Sequence, residues 1–222
     1  PVPAAFGESQ VYASGATGCD GKSEGELTFS NEGTVQAEAH TYDKFGICTT
    51  CGCFNYMGLE FDPTDGYYLV GSAADIDLAE GMNRIQDGAQ FSIKMTNDIK
   101  YVAEPGKYIF NTGNWFDGNF NGQGHSLTIE MSDMGNEASF FPQFSGTFEN
   151  VIMHGTISTN AQYAASITSR TRNDRVVIRN VFSDIEIKST KIGDNTTAGL
   201  IGVAETKTLV ENAIYAGTIN GI

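Results

Sequence analysis

Basic residues are scarce in this sequence. Its 222 residues include 13 Lys and Arg against 27 Asp and Glu, which gives a formal net charge of −14 at pH 7. A negative field of this size repels nucleic-acid phosphates and anionic lipid surfaces, so we expect neither as a partner. The sequence also lacks any run near the ~20 apolar residues of a transmembrane helix, and we expect no membrane span in this chain.

Proline is rare as well, with 5 residues, and the residue types that favour long helices are dispersed along the chain. By contrast the sequence holds 26 Gly, 14 Phe and 9 Tyr, a composition that favours short strands and tight turns. Single all-β folds reach about 200–250 residues. The composition therefore predicts an all-β domain, alone or with one small module.

The sequence has only four cysteines, and three of them are close together. They are Cys19, Cys48, Cys51 and Cys53. A disulfide from Cys48 to Cys51, or from Cys51 to Cys53, would close a very small ring, which fits the usual disulfide geometry poorly. The spacing therefore favours a metal site over two disulfides.

The segment from Cys48 to Gly52 has the C-x-x-C-G form of a zinc knuckle, in which a glycine relaxes the tight turn. His40 can add an imidazole, and Cys19 or Cys53 a further thiolate. We favour Cys19, because Cys53 is too near Cys51 to complete a relaxed tetrahedron. The predicted ligands of a structural zinc ion are Cys19, His40, Cys48 and Cys51. The alternative is four reduced or disulfide-linked cysteines without metal.

One segment has helical periodicity. Ser72 to Asp75 is typical of an N-cap with an acidic first turn, and the apolar residues that follow lie on one stripe. They are Ile76, Leu78, Ala79, Met82 and Ile85. The pattern predicts a helix that ends near Asp87 and Gly88, and a helix before a series of short strands indicates a cap on an open sheet end.

The second half of the chain contains internal repeats. Residues 150–157 are echoed by 180–187 and 212–219, at offsets of 30 and 32 residues, and 163–167 by 197–202 at an offset of 34. Periods of this length with strand-like alternation are typical of a β-solenoid with stacked parallel strands. We expect the inward residues to be Val151, Ile157, Val181, Ile187, Ile214 and Ile219. Asn150, Asn180 and Asn212 occupy matching turns, where asparagine tolerates the left-handed conformation and can bond along the stack.

These segments resemble known families. Residues 19–21, 40–42 and 46–52 resemble a small Cys/His module of large surface proteins from gut anaerobic bacteria, where it precedes a segment like residues 65–71. The repeats resemble GLUG-type repeats, and Trp115 to Ile129 resembles the segment that leads into them, with Asn121 where the pattern usually has Asp. The resemblance implies a right-handed parallel β-helix on an adhesin-like protein. It gives no role to Cys53.

Candidate ligand-binding and catalytic residues are few. Trp115, Phe116 and Phe120 could stack on sugar rings if exposed, or fill the first coils of the solenoid. The acids considered are Asp133, Asp174, Asp184 and Asp194, and the bases are Arg170, Arg172, Arg175 and Arg179. No aspartate recurs at a matched position in successive repeats, and residues 168–175 are typical of a solvated loop. We expect His125 to brace a turn and His154 to face solvent. We expect no catalytic residue.

The sequence predicts four regions. They are an N-terminal extension at 1–16, the Cys/His module at 17–60, a capping helix with the first strands at 61–110, and β-helix coils at 111–222. The chain begins with Pro1 and stops within a repeat. We therefore expect a processed extracellular or cell-surface protein that continues in a larger polypeptide. We expect a non-enzymatic, adhesin-like module that contacts a glycan or a host-surface protein. The alternative is a polysaccharide-binding or polysaccharide-degrading β-helix.

Overall fold

The computed structural model describes residues 28–29, 35–36, 41–49, 52, 54–55, 58–85, 90–110, 115–193 and 195–221. The chain forms two compact units, Pro1–Gly58 and Leu59–Ile222. The predicted region boundaries at 16, 60 and 110 stay predictions.

In the first unit, short antiparallel pairings hold the described backbone. Strand β1 (Thr28–Phe29) pairs antiparallel with β2 (Val35–Gln36), and single bridges join Tyr42 to Cys48 and Ile47 to Phe54. Gly46 and Gly52 have φ angles of 70° and 76°, a conformation that glycine adopts without strain.

The second unit consists of one helix and fifteen strands within the described residues. The elements in chain order are β3 (Phe61–Asp62), β4 (Tyr67–Val70), α1 (Ala73–Ile85), β5 (Ser92–Met95), β6 (Ile99–Val102), β7 (Phe116–Asn121), β8 (Ser126–Met134), β9 (Glu137–Ala138), β10 (Phe141–Thr159), β11 (Tyr163–Ala164), β12 (Thr168–Ser183), β13 (Glu186–Ser189), β14 (Thr196–Thr197), β15 (Ile201–Val203), β16 (Lys207–Tyr215) and β17 (Ile219–Asn220). No helix among the described residues is long and apolar enough to cross a bilayer.

These strands stack into a β-solenoid of about five turns, as the repeats predict. Along one face, parallel pairs join β4 to β5, β5 to β7, β7 to β10 and β10 to β12. Along a second face, β6, β8, the end of β10, β13 and β17 follow one another in the same way. A short third sheet contains β9, β11 and β14.

Columns of apolar side chains fill the interior. Ile93, Phe120, Phe148 and Ile178 are in direct register from coil to coil, and all four are fully buried. Seven fully buried phenylalanines share this core: Phe110, Phe116, Phe120, Phe140, Phe141, Phe144 and Phe148. The rings of the successive residues Phe120 and Phe148 stack with centroids 5.1 Å apart. Each such ring removes a large apolar area from water, so no coil could bury its own residues alone.

Four of the six predicted inward residues are confirmed: Val151, Ile157, Val181 and Ile187 are buried. The prediction for Ile214 is wrong. Ile214 is 60% exposed and pairs in register with the outward residue Phe182, whereas Ala213 occupies the inward column. Ile219 pairs with the buried Ile187 yet is 45% exposed, because the structure describes no strand on its other side.

The asparagine turns form a continuous ladder. Asn150, Asn180 and Asn212 have φ angles of 56°, 54° and 48°. The Nδ2 of Asn212 donates to Oδ1 of Asn180 at 3.3 Å, Asn180 donates to Asn150 at 2.9 Å, and Asn150 donates to Asn121 at 3.1 Å. Both parts of the asparagine prediction, the left-handed turn and the bond along the stack, are confirmed.

The predicted helix is confirmed as α1. Its N-terminus is closed by Ser72 and Asp75, because the N–H of Asp75 donates to the Ser72 hydroxyl at 3.3 Å and that hydroxyl donates back at 2.9 Å. Ile76, Ala79 and Met82 are fully buried, and the helix packs on β4 and β6. The hydroxyl of Tyr101 on β6 donates to Asp77 at 2.6 Å. Burial and this carboxylate raise the pKa of Tyr101.

The ladder predicts a measurable stability loss when its middle member is replaced. Asn180→Ala removes two inter-coil hydrogen bonds and strains a left-handed backbone, so we expect a loss of about 1–3 kcal/mol in the free energy of unfolding. Asn180→Gly keeps the backbone conformation and should lose less. Urea denaturation measures both. Asn136→Ala is the control, since its exposed side chain makes no hydrogen bond within the described residues. Equal stability of Asn180→Ala and wild type would contradict the ladder.

Candidate functional site

Two of the three aromatic candidates for ligand stacking lie in the core. Phe116 and Phe120 have no exposed surface, because both lie in inward columns of β7. Neither can stack on a sugar ring, which corrects that prediction and bears out the alternative of a filled coil interior. Trp115 is half-buried, and its buried indole Nε1 finds no hydrogen-bond partner among the residues that the structure describes.

Only Cys48 of the predicted zinc ligands is described. Its side chain is 2% exposed, and its carbonyl accepts a hydrogen bond from the N–H of Gly52 at 2.9 Å, which closes the tight turn expected of the C-x-x-C-G segment. Cys19, His40 and Cys51 lie outside the described residues, as does Cys53. Zinc at this site stays a prediction. Within the described ranges no cluster of three or more metal-ligating side chains occurs.

Four of the eight acids and bases considered from the sequence, Asp184 and three arginines, have charged side-chain partners in the structure. Asp184 contacts Nδ1 of His154 at 2.8 Å. His125 lies 3.4 Å from Asp98, whose carboxylate also accepts the N–H of Ser126 at 2.8 Å. That backbone donor lowers the pKa of Asp98. His125 thus braces a turn, as predicted. His154 lies within β10, and its half-exposed side chain points outward, as predicted, where it contacts the next coil. Asp194 is not among the described residues, and neither is the side chain of Asp174.

Three of the four arginines considered as bases from the sequence are held by ion pairs. Arg170 and Arg172 both bind Glu205, and Arg179 Nε lies 2.6 Å from Glu149 Oε2. The bond from Glu149 raises the pKa of Arg179. The exposed Arg175 makes no ion pair with any residue that the structure describes.

An insertion that includes Arg175 makes the outer face of the solenoid uneven. Phe144 pairs with Thr171, an offset of 27 residues, but Gly146 pairs with Val176, an offset of 30. Residues 172–175 therefore have Ser145 alone opposite them and form a wide bulge within β12, which we call the outer loop. Asn173 at its tip has a φ of 55°.

The outer loop reaches across one coil to the next. The Nδ2 of Asn173 donates to Oδ2 of Asp117 on β7 at 3.1 Å, although the two residues are 56 positions apart in sequence. Gln90 donates to the other oxygen of Asp117 at 3.4 Å. The loop is thereby fixed above the strand that contains Ser145 and Gly146.

Two adjoining cavities lie on either side of the outer loop, and Gly146 and Arg175 line both. The first has a volume of about 330 Å³ and is also lined by Gln90, Asp117, Ser145 and Asn173. The second has a volume of about 400 Å³ and is also lined by Thr147, Val177, Arg179, Leu209 and Glu211. We call the two cavities together the outer groove.

The floor of the outer groove is bare backbone for a steric reason. Gly146 has a φ of 115°, and a Cβ at this position would lie 1.9 Å from the carbonyl oxygen of Gly118 on the neighbouring strand. Only glycine fits such a close approach. Apart from Val177 and Leu209, the side chains that line the groove are amides, hydroxyls and charged groups, so the groove offers mainly hydrogen-bond donors and acceptors.

Sequence reasoning missed the outer groove. The sequence feature that indicates the groove is a change of repeat length. Matched positions are 28 residues apart from Phe120 to Phe148 and 30 apart from Phe148 to Ile178. That lengthening marks an insertion and therefore a surface loop.

The burial of Phe120 gives a direct test of its role. Phe120→Ala should lower the free energy of unfolding by about 3–5 kcal/mol, because it leaves a cavity in the core. Phe120→Leu covers the case in which the alanine variant does not fold. Phe61→Ala is the matched control at a half-exposed ring and should cost clearly less. If Phe120→Ala were as stable as the wild type, Phe120 would not be a core residue, and its ring would again be a candidate for ligand stacking.

No protein family matches this chain, and no curated protein and no solved structure matches it either.

Proposed function

We propose that this chain is a non-enzymatic, extracellular module of an adhesin-like bacterial surface protein, and that its solenoid displays the outer groove as an attachment surface for glycans. The observation that carries the proposal is the outer groove itself. The resemblance to GLUG-type repeats and to the Cys/His module of gut bacterial surface proteins supports the extracellular, adhesin-like part of the proposal. A larger polypeptide and a host-surface protein as a further partner belong to the same proposal.

Rigidity supports a display role. The side chains of the groove stand on strands about 4.8 Å apart, and those strands are held by the buried phenylalanines and by the asparagine ladder. Groups that are ordered before binding lose little conformational entropy when a ligand arrives. A solenoid of this kind therefore keeps the donors and acceptors of the groove in fixed positions.

The chemistry of the lining supports a glycan as the ligand. Gln90, Asn173, Ser145 and Thr147 carry the amides and hydroxyls that pair with sugar hydroxyls. Cavities of about 330 and 400 Å³ are within the range of small-ligand sites. Two such cavities side by side suit a short linear oligosaccharide.

The contacts of the acids favour binding over hydrolysis. A glycosidase needs one carboxyl group to donate a proton and a second, about 5–9.5 Å away, to act as base or nucleophile. Both oxygens of Asp117 accept hydrogen bonds from side-chain amides, and Glu149 is paired with Arg179. Each is engaged in structure. Glu211 is then the one acid of the described lining without such a bond, and a single carboxylate does not make the pair that hydrolysis needs, so we place binding first and polysaccharide degradation second.

A glycan array with the labelled chain tests this function. We expect binding to a subset of glycans, without release of reducing ends or unsaturated products from them. Thr147→Trp fills the groove and should abolish binding. Thr128→Trp is the matched control, because Thr128 is a half-buried residue on β8, which belongs to the second face. Failure to bind any glycan, or equal binding by both variants, would contradict the proposal. Product release would favour the degrading alternative.

We also propose a structural zinc ion in the first unit, bound by Cys19, His40, Cys48 and Cys51. The buried thiol of Cys48 and the closed turn to Gly52 support it. A closed set of four ligands leaves no position for substrate, so the ion would stabilise a segment with little core of its own.

Metal analysis of the purified protein tests the zinc site. We expect one zinc per chain, and its loss in Cys48→Ser or Cys51→Ser together with a lower melting temperature of the first unit. Cys53→Ser is the matched control and should keep the ion. Sub-stoichiometric zinc in the wild type after purification without chelator would refute the site, and zinc loss in Cys53→Ser would refute the ligand set.

A further inference from the structure

We propose that the outer groove selects acidic saccharides and that Arg175 binds their carboxylate or sulfate group. This inference rests on the proposed glycan-binding function and goes further, because it names the chemical class of the ligand and the residue that selects it.

The first argument is the position of Arg175. Its side chain lines both cavities of the outer groove, so it stands where a ligand that spans the two must pass. The residue is exposed. A guanidinium group at such a point presents a fork of donors that matches a carboxylate or a sulfate with two parallel hydrogen bonds.

The second argument is that Arg175 differs from every other arginine of this chain. The sequence has five arginines, and the other four are held in ion pairs by Glu80, Glu205 and Glu149. Arg175 has no such partner among the described residues, in a chain where acids outnumber basic residues 27 to 13. A cation that no described residue pairs, in so acidic a chain, is available for an external anion.

A second cation lies beside it. Lys207 on β16 is the register partner of Arg175 on β12, and neighbouring strands are about 4.8 Å apart. Lys207 is exposed and likewise makes no ion pair within the described part of the chain. The two side chains together form a local positive site at the edge of the groove.

The other charged groups that face the groove define how far this site extends. Asp117 is held by two amides and Glu149 by Arg179, whereas Glu211 lines the far part of the second cavity. These acids, and the net charge of −14, repel a densely charged polymer. We therefore expect the groove to bind short acidic saccharides and to disfavour long polyanions.

The lining favours a saccharide over an acidic peptide. Apolar anchors are what most peptide grooves use for affinity. Among the residues that line the outer groove only Val177 and Leu209 are apolar, and Val177 is almost completely buried. Leu209, at 41% exposure, offers one apolar contact, such as the C–H face of a sugar, but no pocket. The amides and hydroxyls around Arg175 instead suit ring hydroxyls.

Calorimetry with matched ligands and variants tests the proposal. The ligands are a hyaluronan tetrasaccharide, its carboxyl-reduced neutral form, a chondroitin sulfate tetrasaccharide and a poly-glutamate peptide. We expect the acidic tetrasaccharides to bind about ten-fold more tightly than the neutral form, and Arg175→Gln to remove that difference. Lys107→Gln is the control, because it removes one exposed positive charge and so gives the same net charge as Arg175→Gln. It should bind like the wild type.

The outcomes separate this inference from the function on which it rests. Equal affinity for acidic and neutral tetrasaccharides, or an Arg175→Gln variant that still discriminates, overturns the role of Arg175 and leaves glycan binding in place. No binding of any glycan overturns both. A peptide that binds as tightly as the saccharides overturns the ligand class. The chondroitin sulfate tetrasaccharide carries a sulfate in addition to the carboxylate of each disaccharide, so tighter binding of it than of hyaluronan assigns the sulfate to Arg175, and equal binding assigns the carboxylate. An unchanged melting temperature of Arg175→Gln excludes unfolding as the cause of any loss.

Discussion

Each coil of the solenoid buries its inward side chains only against the coils on either side of it. The register of stacking is therefore the constraint on which the rest depends. Phe120 is in line with Ile93 before it and Phe148 after it, and a slip by one residue would turn all three toward water. The close approach of Gly146 to Gly118 fixes the same register sterically. Once it is fixed, the outer side chains have fixed neighbours as well, and the outer groove follows.

The features that repeat in sequence were predictable from it. The left-handed asparagine turns and their ladder depend only on the recurrence of Asn150, Asn180 and Asn212, because a stack places equivalent residues side by side. The helix was predictable from its cap at Ser72 and the stripe through Ile76 and Met82. In each case the local sequence and the stacked fold favour the same structure.

The face toward which a side chain points was harder to predict. Ile214 is apolar and follows an asparagine turn by two residues, like Ile152 and Phe182, yet this whole column points outward. For Phe116 and Phe120 the error ran the other way: they were considered as surface residues and are buried. An aromatic residue near a Gly-rich turn is compatible with either face. Alternation fixes which residues share a face. It does not say which face is inside, because that depends on the neighbouring coils. The outer groove arises from an insertion, and no residue type in residues 172–175 indicates where the loop will fold.

The ladder also has a direction. In every step the amide N–H of the later coil points to the carbonyl oxygen of the earlier one, so the side-chain dipoles of Asn212, Asn180, Asn150 and Asn121 align head to tail. Aligned amides polarise one another, and their positive end is the Nδ2 of Asn121. That atom donates to a carboxylate oxygen of Glu149 at 3.0 Å. The carboxylate thus accepts at the positive end of the dipole, as an acidic residue does at the start of an α-helix. The solenoid thus carries a miniature macrodipole along its edge, with an anion at its positive end and Arg179 on that anion's other oxygen.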